Sequence, residues 1–187
     1  LFEPSAEEIY NKDETILKNN NYNNILCDKY RKGHFDGVIT VLNKFFSIVK
    51  SNKVYFGEKD FQQLKIIEKF IQEKYEFLEI VSVPTKRNEE GIAYSSRNEK
   101  LSKKQIQDFV SFHQKVENFL KTLEKSFDIN TANQKAKDFI VEQDIEEFDY
   151  FEFRNNEDLS FNGKVSESRL FYAIYKGKIR LIDNLKI

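Results

Sequence analysis

Lys53-Val-Tyr-Phe-Gly-Glu-Lys-Asp-Phe-Gln-Gln63 decides how this chain is read. Its short apolar run, Val54 to Phe56, breaks at Gly57 into a charged turn and then enters a helical pattern. Apolar positions at Leu64, Ile67 and Ile71, with Phe70 beside them, predict a helix from about Asp60 to Lys74 with one buried face. The next stretch, Phe77-Leu-Glu-Ile-Val-Ser-Val83, is rich in β-branched and aromatic residues and ends at Pro84, which predicts a buried strand. Strand, helix and strand form a βαβ unit with parallel strands and a right-handed crossover, and the fold is expected to be α/β. In such sheets ligands bind at the strand carboxyl ends. Gly57 and the first helical turn lie there, offering unpaired N–H groups and a helix dipole to an anion, so the turn reads as a nucleotide site.

Composition limits the alternatives. The chain of 187 residues is 40% hydrophobic with 18 Phe, which excludes a disordered polymer, and its length fits one large domain or two small ones. With 30 basic and 31 acidic residues the net charge is −1, so no global field points to nucleic acid or an anionic membrane. The single Cys27 cannot form an intrachain disulfide, and no Cys/His cluster has zinc-ligand spacing. These features suit a reducing, cytoplasmic setting. No run of roughly eighteen apolar residues suggests a membrane span, and residues 1–20 lack the order of a signal peptide. The sequence starts at Leu1 and contains no Met, so an upstream segment is expected to be missing.

Outward from the central stretch, Leu1-Phe2-Glu3-Pro4 reads as the tail of a strand, and Ser5-Ala-Glu-Glu8 as a capping box opening a short helix. Residues 11–25, crowded with Asn, Lys and Asp, predict an exposed loop. Val38, Val41, Leu42, Phe45 and Val49 predict a helix over Asp36–Lys50. Before it, Arg31, Lys32 and His34 flank Gly33; composition favours a solvated charged turn over a presented cation cluster. Periodicity pauses after Pro84 through Gly91, and the expected division is residues 1–84 and 85–187. Ile106, Phe109, His113, Val116, Leu120 and Leu123 predict a helix from Ser102 to about Lys125. His113 falls on that stripe and reads as a core-edge residue satisfied by one hydrogen bond rather than as a ligand. A helix over Thr131–Glu142, a strand over Phe148–Phe153, and a hairpin of Arg169–Tyr175 with Lys178–Ile182 complete a small α+β unit.

Two stretches carry the chemistry. Asp60 and Gln63 form a capping pair as pure structure. As a site, Gln63 offers an amide to a polar substrate, Asp60 accepts from ribose hydroxyls, and Lys59 meets phosphate as a point charge. Further on, Gly91-Ile-Ala-Tyr-Ser-Ser-Arg-Asn98 gives two hydroxyls and a guanidinium fork for phosphate oxygens, with Gly91 as hinge or close backbone approach.

With these residues in view, the chain resembles the pantothenate synthetase family, pantoate–β-alanine ligases of the Rossmann-like nucleotidyltransferase group. The resemblance rests on Leu1 to Tyr10, Arg31-Lys-Gly-His-Phe35 with Gly37-Val38 and Thr40-Val41, Tyr55 to Gln63, Val83-Pro-Thr85, Ser95-Ser-Arg-Asn98 and Gly177 to Asn184. It implies the later part of a Rossmann-like domain followed by a small α+β C-terminal lid domain. It implies that Gly57, Glu58, Lys59 and Asp60 bind ATP, that the Lys86 main chain contacts adenine, and that Tyr94, Ser95, Ser96 and Arg97 form a mobile phosphate-binding loop. Gln63 would hold pantoate, and Lys59 and Arg97 would be the catalytic cations. ATP as substrate, Mg²⁺, a homodimer and a pantoyl-adenylate intermediate are implied as well. The sequence departs from the family at Lys32, usually Pro, Lys86, often Val, and Tyr94, usually Leu or Met. The family's His-x-Gly-His motif and first pantoate-binding glutamine are not in this chain. The alternatives are a catalytically incomplete nucleotide-binding or dimerising module, and another adenylyl-transferring enzyme of the same group.

Overall fold

The computed structural model describes residues 2–10, 15–143, 145 and 147–187. The chain forms two compact units, Leu1–Phe56 with Gln62–Val83, and Gly57–Phe61 with Pro84–Ile187. The turn after the first strand thus packs with the second unit, although in sequence it lies inside the βαβ stretch.

In the first unit, the capping box expected at Ser5 is made: Ser5 N–H donates to Glu8 Oε2 at 2.7 Å, opening α1 (Ala6–Ile9). Residues 2–4 belong to no strand, and Leu1 lies outside the described residues, so the strand tail expected there is not found. Residues 15–25 form the anticipated loop, while 11–14 lie outside the described residues. The loop is tied down rather than loose. Asp36 accepts from Asn19 N–H and from Lys18 Nζ, each at 2.8 Å, and Thr40 Oγ1 accepts from Leu17 N–H at 2.9 Å. The Lys18 hydrogen bond is the main cause that holds the Asp36 carboxyl below its ordinary value. A short α2 (Leu26–Tyr30) follows, unforeseen because five residues show no periodicity. α3 (His34–Val49) starts from Gly33, whose φ of +74° suits glycine, and buries Phe35, Ile39 and Phe46.

β1 (Lys53–Gly57), α4 (Phe61–Lys74) and β2 (Glu79–Val83) give the expected βαβ unit, its strands side by side and parallel. α4 buries Leu64, Ile66, Ile67, Phe70 and Ile71. Two expectations fail. The strand begins at Glu79 rather than Phe77, which is 86% exposed, and none of its residues is buried. Among the described residues β1 is its only partner. The Asp60–Gln63 capping pair is also absent: the chain enters α4 through a 3₁₀ turn, Glu58–Asp60, so Asp60 is inside helical geometry and cannot act as an N-cap.

The second unit is built on an antiparallel sheet in the order β3 (Phe148–Asn155), β4 (Ser168–Lys176), β5 (Ile179–Lys186). Its register pairs Phe153 with Leu170 and Tyr172 with Asp183. α5 (Lys103–Lys121), opened by a Ser102–Gln105 capping box, and α6 (Ile129–Glu142), capped by Asp128, supply Phe109, Phe112, Val116, Ala132, Ala136 and Ile140 to the core of this sheet. Aromatic rings knit the layers: Phe112 meets Tyr172 edge-on at 5.6 Å and Phe119 stacks on Phe139 at 4.5 Å. Ile106, expected on the buried stripe, is 40% exposed.

Candidate active site

The site elements of the second unit start from Glu58 and Lys59 in the 3₁₀ turn. The turn is gripped from β4 and β5. Asn184 Nδ2 donates to Glu58 O at 2.8 Å and to Lys59 O at 3.0 Å. Arg169 pairs with Glu58 Oε2 at 2.7 Å, donates to Asn184 Oδ1 at 2.8 Å, and lies 4.0 Å over the Phe61 ring. The Glu58 carboxylate is therefore committed to holding the turn. Lys59 is the opposite case. Its ammonium is largely enclosed, and among the described residues only the Asp60 carboxylate is near, at 3.9 Å, beyond hydrogen-bond reach.

The second stretch folds back on itself through a bridge between Arg87 and Ala93, with Tyr94 N–H donating to Lys86 O at 3.1 Å. Gly91 sits at the bend with φ +82°, and a Cβ there would lie 2.9 Å from His113 Nε2. The close approach anticipated for Gly91 is thus to a buried histidine. Beyond the bridge, Ser95 Oγ accepts from Arg97 N–H at 3.2 Å, Asn98 Nδ2 donates to Ala93 O at 2.9 Å, and Arg97 Nη1 donates to Arg180 O at 3.2 Å. Lys86 and Tyr94 meet each other, Lys86 Nζ standing 5.7 Å over the Tyr94 ring.

Lys59, Ser95, Arg97, Asn98 and Asp183 line one narrow crevice of about 10 Å³, enough for roughly one water. An anion the size of phosphate is too large to enter it. Gly57, Glu58, Asp60, Lys86, Tyr94 and Ser96 do not line it. Gly57, at φ −75°, has open space where a Cβ would be, so its own conformation does not demand glycine. In the first unit the two glutamines of α4 are sorted by their partners. Gln62 is buried and spent on structure, accepting from Cys27 N–H at 2.9 Å and donating to Ile25 O at 3.0 Å. Gln63 is half-buried, and among the described residues no hydrogen bond engages its amide.

Behind the crevice lies a polar network that sequence reasoning did not assign. Arg87 forms a two-pronged pair with Asp183, at 2.6 and 3.0 Å, and also donates to Gly91 O and Asn184 O, each at 3.0 Å. Burial opposes the Arg87 charge, yet the Asp183 hydrogen bond and attraction outweigh it and raise the pKa. Tyr172 donates to Asp183 Oδ2 at 3.4 Å and its hydroxyl meets His113 Nδ1 at 3.2 Å. Burial pushes the Tyr172 phenol well above its ordinary value and pulls His113 below its own. Among the described residues His113 has the single hydrogen bond expected of it; its Nε2 makes none there and faces Glu117 at 3.6 Å. The signal for this network was Asp183-Asn184 interrupting an apolar strand, and Arg87 after Pro84.

A parallel βαβ crossover together with an antiparallel sheet, with lysine and arginine sharing a crevice, defines a nucleotidyltransferase-type fold. The chain belongs to the pantoate-beta-alanine ligase family, whose model matches residues 1–186. It is 35% identical over 190 residues to the pantothenate synthetase of Caldicellulosiruptor bescii, a match covering 100% of this chain and 67% of that protein. The crystal structure of pantothenate synthetase from Thermus thermophilus superposes with a TM-score of 0.85 at 28% identity, over 98% of this chain and 67% of that one. The pantoate-beta-alanine ligase of Francisella tularensis, complexed with beta-gamma ATP and beta-alanine, gives a TM-score of 0.63 at 30% identity, over 87% and 54%. The chain spans about two thirds of the length of the Caldicellulosiruptor relative and of the Thermus structure.

Proposed function

We propose that the chain handles ATP and pantoate in the condensation of (R)-pantoate with β-alanine. The pantoate carboxylate attacks the α-phosphorus of ATP, expelling pyrophosphate and forming pantoyl adenylate. The β-alanine amine then attacks the acyl carbon and expels AMP, leaving pantothenate. The convergence of Lys59, Ser95 and Arg97 from two separate stretches on one crevice carries this reading. Phosphoryl chemistry is mostly positioning and charge stabilisation, and Lys59, with no hydrogen-bonded counterion among the described residues, supplies a positive charge to the phosphates. Arg97 does the same from the Tyr94–Arg97 loop, with Ser95 and Ser96 as hydroxyl donors. Gly57, Glu58 and Asp60 act through the turn's main chain and the Asp60 carboxylate, and Lys86 through its main chain toward adenine. Gln63, whose amide no hydrogen bond engages among the described residues, is assigned to pantoate.

Two cations at the crevice suit a polyphosphate rather than a bare divalent ion. Mg²⁺ would arrive on the nucleotide, held by phosphate oxygens and water. We assign the protein to the cytoplasm as a homodimer; no described helix is long and apolar enough to cross a membrane. The family match favours a ligase over a non-catalytic binding module.

The test is Lys59→Ala, with pantoate-dependent release of pyrophosphate from ATP as the readout. Removing one preorganised charge-stabilising group costs on the order of 10²–10³ in rate. Turnover at the unaltered rate, with the fold intact by circular dichroism, would remove Lys59 from the mechanism.

A further inference from the structure

We infer that Asp183 and Asn184, adjacent on β5, are positioning residues that hold the two halves of the site in register. This rests on the function proposed above for its kinetic part. Both side chains are buried, at 4% and 3% exposure, and each reaches a different stretch. Asn184 spends both its N–H bonds on the carbonyls of Glu58 and Lys59, at 2.8 and 3.0 Å. Its oxygen accepts from Arg169 at 2.8 Å, and the same guanidinium pairs with Glu58 at 2.7 Å, closing a ring around the turn that carries Lys59. Asp183 takes both prongs of Arg87, and Arg87 in turn holds Gly91 O at 3.0 Å, at the bend from which Ser95 and Arg97 follow.

One peptide of β5 therefore fixes the origin of both cation-bearing segments. The pair is itself locked: Asn184 N–H donates to Asp183 Oδ1 at 2.8 Å, Arg87 donates to Asn184 O, and Asp183 Oδ2 receives the Tyr172 hydroxyl. Without these side chains the carbonyls of Glu58 and Lys59 would lose these donors, and the guanidinium groups of Arg87 and Arg169 would lose the acceptors at Asp183 and Asn184. The crevice between Lys59 and Arg97 admits only about one water, so a displacement of an ångström at either origin changes whether both cations reach one phosphate group. Misplacement on that scale costs roughly 10²-fold in rate.

The experiment uses Asn184→Asp, which keeps volume and the acceptor for Arg169 but has no N–H, and Asp183→Asn, which keeps shape but loses the charge that binds Arg87. Hydrogen exchange followed by mass spectrometry reads the two loops separately. The expected pattern is crossed: Asn184→Asp raises exchange in residues 57–61 and Asp183→Asn raises it in residues 86–98, each by about tenfold or more. In the same samples, kcat for pantoate-dependent pyrophosphate release should fall roughly 10²-fold at saturating ATP while both variants remain folded at the assay temperature. Unaltered exchange in both loops overturns the inference, as does loosened exchange with unaltered kcat. Global unfolding of both variants also overturns it, because the pair would then serve the fold at large. Should the unaltered protein show no pantoate-dependent turnover, the proposed function fails, while the exchange pattern still decides whether the two side chains hold the two loops.

Discussion

β2 and β4 make an instructive pair. β2 is rich in β-branched residues and β4 in aromatic and aliphatic ones, yet β2 buries none of its five residues and β4 buries its first seven. Composition alone predicts strand for each, and each is a strand. Burial is decided by neighbours: β4 is flanked by β3 and β5, and Leu170, Tyr172 and Ile174 share a core with α5 and α6, whereas β2 pairs with β1 alone among the described residues. The sharpest way to break this comparison is truncation on each strand. Leu170→Ala, at a residue with no exposure, should cost about 2–5 kcal/mol of unfolding free energy. Ile80→Ala, half-buried on β2, should cost about 1 kcal/mol or less. Urea titration of both variants checks it, and equal losses would show that β2 is buried in a way the fold does not display.

Glycines sharpen the same contrast between local demand and surroundings. Gly91→Ala forces a Cβ to 2.9 Å from His113 Nε2 at φ +82°, and should destabilise by about 1–3 kcal/mol. Gly57→Ala meets nothing within 4 Å at φ −75°, and should stay within about 0.5 kcal/mol while weakening ATP binding if the nucleotide approaches the backbone there. A stability loss at Gly57 matching that at Gly91 would contradict this assignment of roles.

The sequence announced those features that depend on neighbours in the chain. The βαβ crossover, the capping box at Ser5, the helices α3, α5 and α6, and the β4–β5 hairpin follow from periodicity and turn chemistry within a window of a few residues. What was not legible needs contacts between distant residues. Asp60 looked like an N-cap because Asp and Gln are correctly spaced, but tertiary bonds from Asn184 to the preceding carbonyls accompany a 3₁₀ entry instead. The sequence pointed to Gln63 alone; that its neighbour Gln62 is spent on structure shows only in the partners of Gln62 on α2 and the loop before it. Arg87, Asp183 and Asn184 are common residue types whose role arises from separations of nearly a hundred residues. The choice of Lys59, Ser95 and Arg97, by contrast, came from motif and resemblance, and the crevice they share could not be counted in advance.

Within the second unit, α5 offers a smaller test of how far local signals carry. Its capping box is complete, Ser102 Oγ accepting from Gln105 N–H at 3.3 Å and Gln105 Oε1 from Ser102 N–H at 2.9 Å. Ser102→Ala should cost about 1 kcal/mol, less than the core truncation and comparable with the lower end for Gly91. Thermal unfolding measured at one pH settles it. A loss as large as that of Leu170→Ala would mean that the cap holds more than its helix.

The finest distinction concerns His113, because its contribution is a slope with pH rather than a step. The ring has no exposure, and the groups facing it are the Tyr172 hydroxyl at 3.2 Å, Glu117 at 3.6 Å and, acting through charge, Asp183 and Arg87. Desolvation dominates and lowers the folded-state pKa beneath 6.5, against the raising influence of Asp183 and Glu117. A histidine depressed in the folded state binds fewer protons there than in the unfolded chain. Its contribution is therefore intact above the ordinary value of 6.5 and is lost as pH falls through that value toward the folded one. Unfolding midpoints between about pH 8 and pH 5 should fall more steeply for the native chain than for His113→Gln, with the two curves parallel above the histidine range. Parallel curves throughout would show that the ring takes up its proton without opposition. Glu117, whose carboxylate lies 3.6 Å from Nε2, would then be neutralising the charge in place, and Glu117→Gln should restore the slope that the native chain lacked.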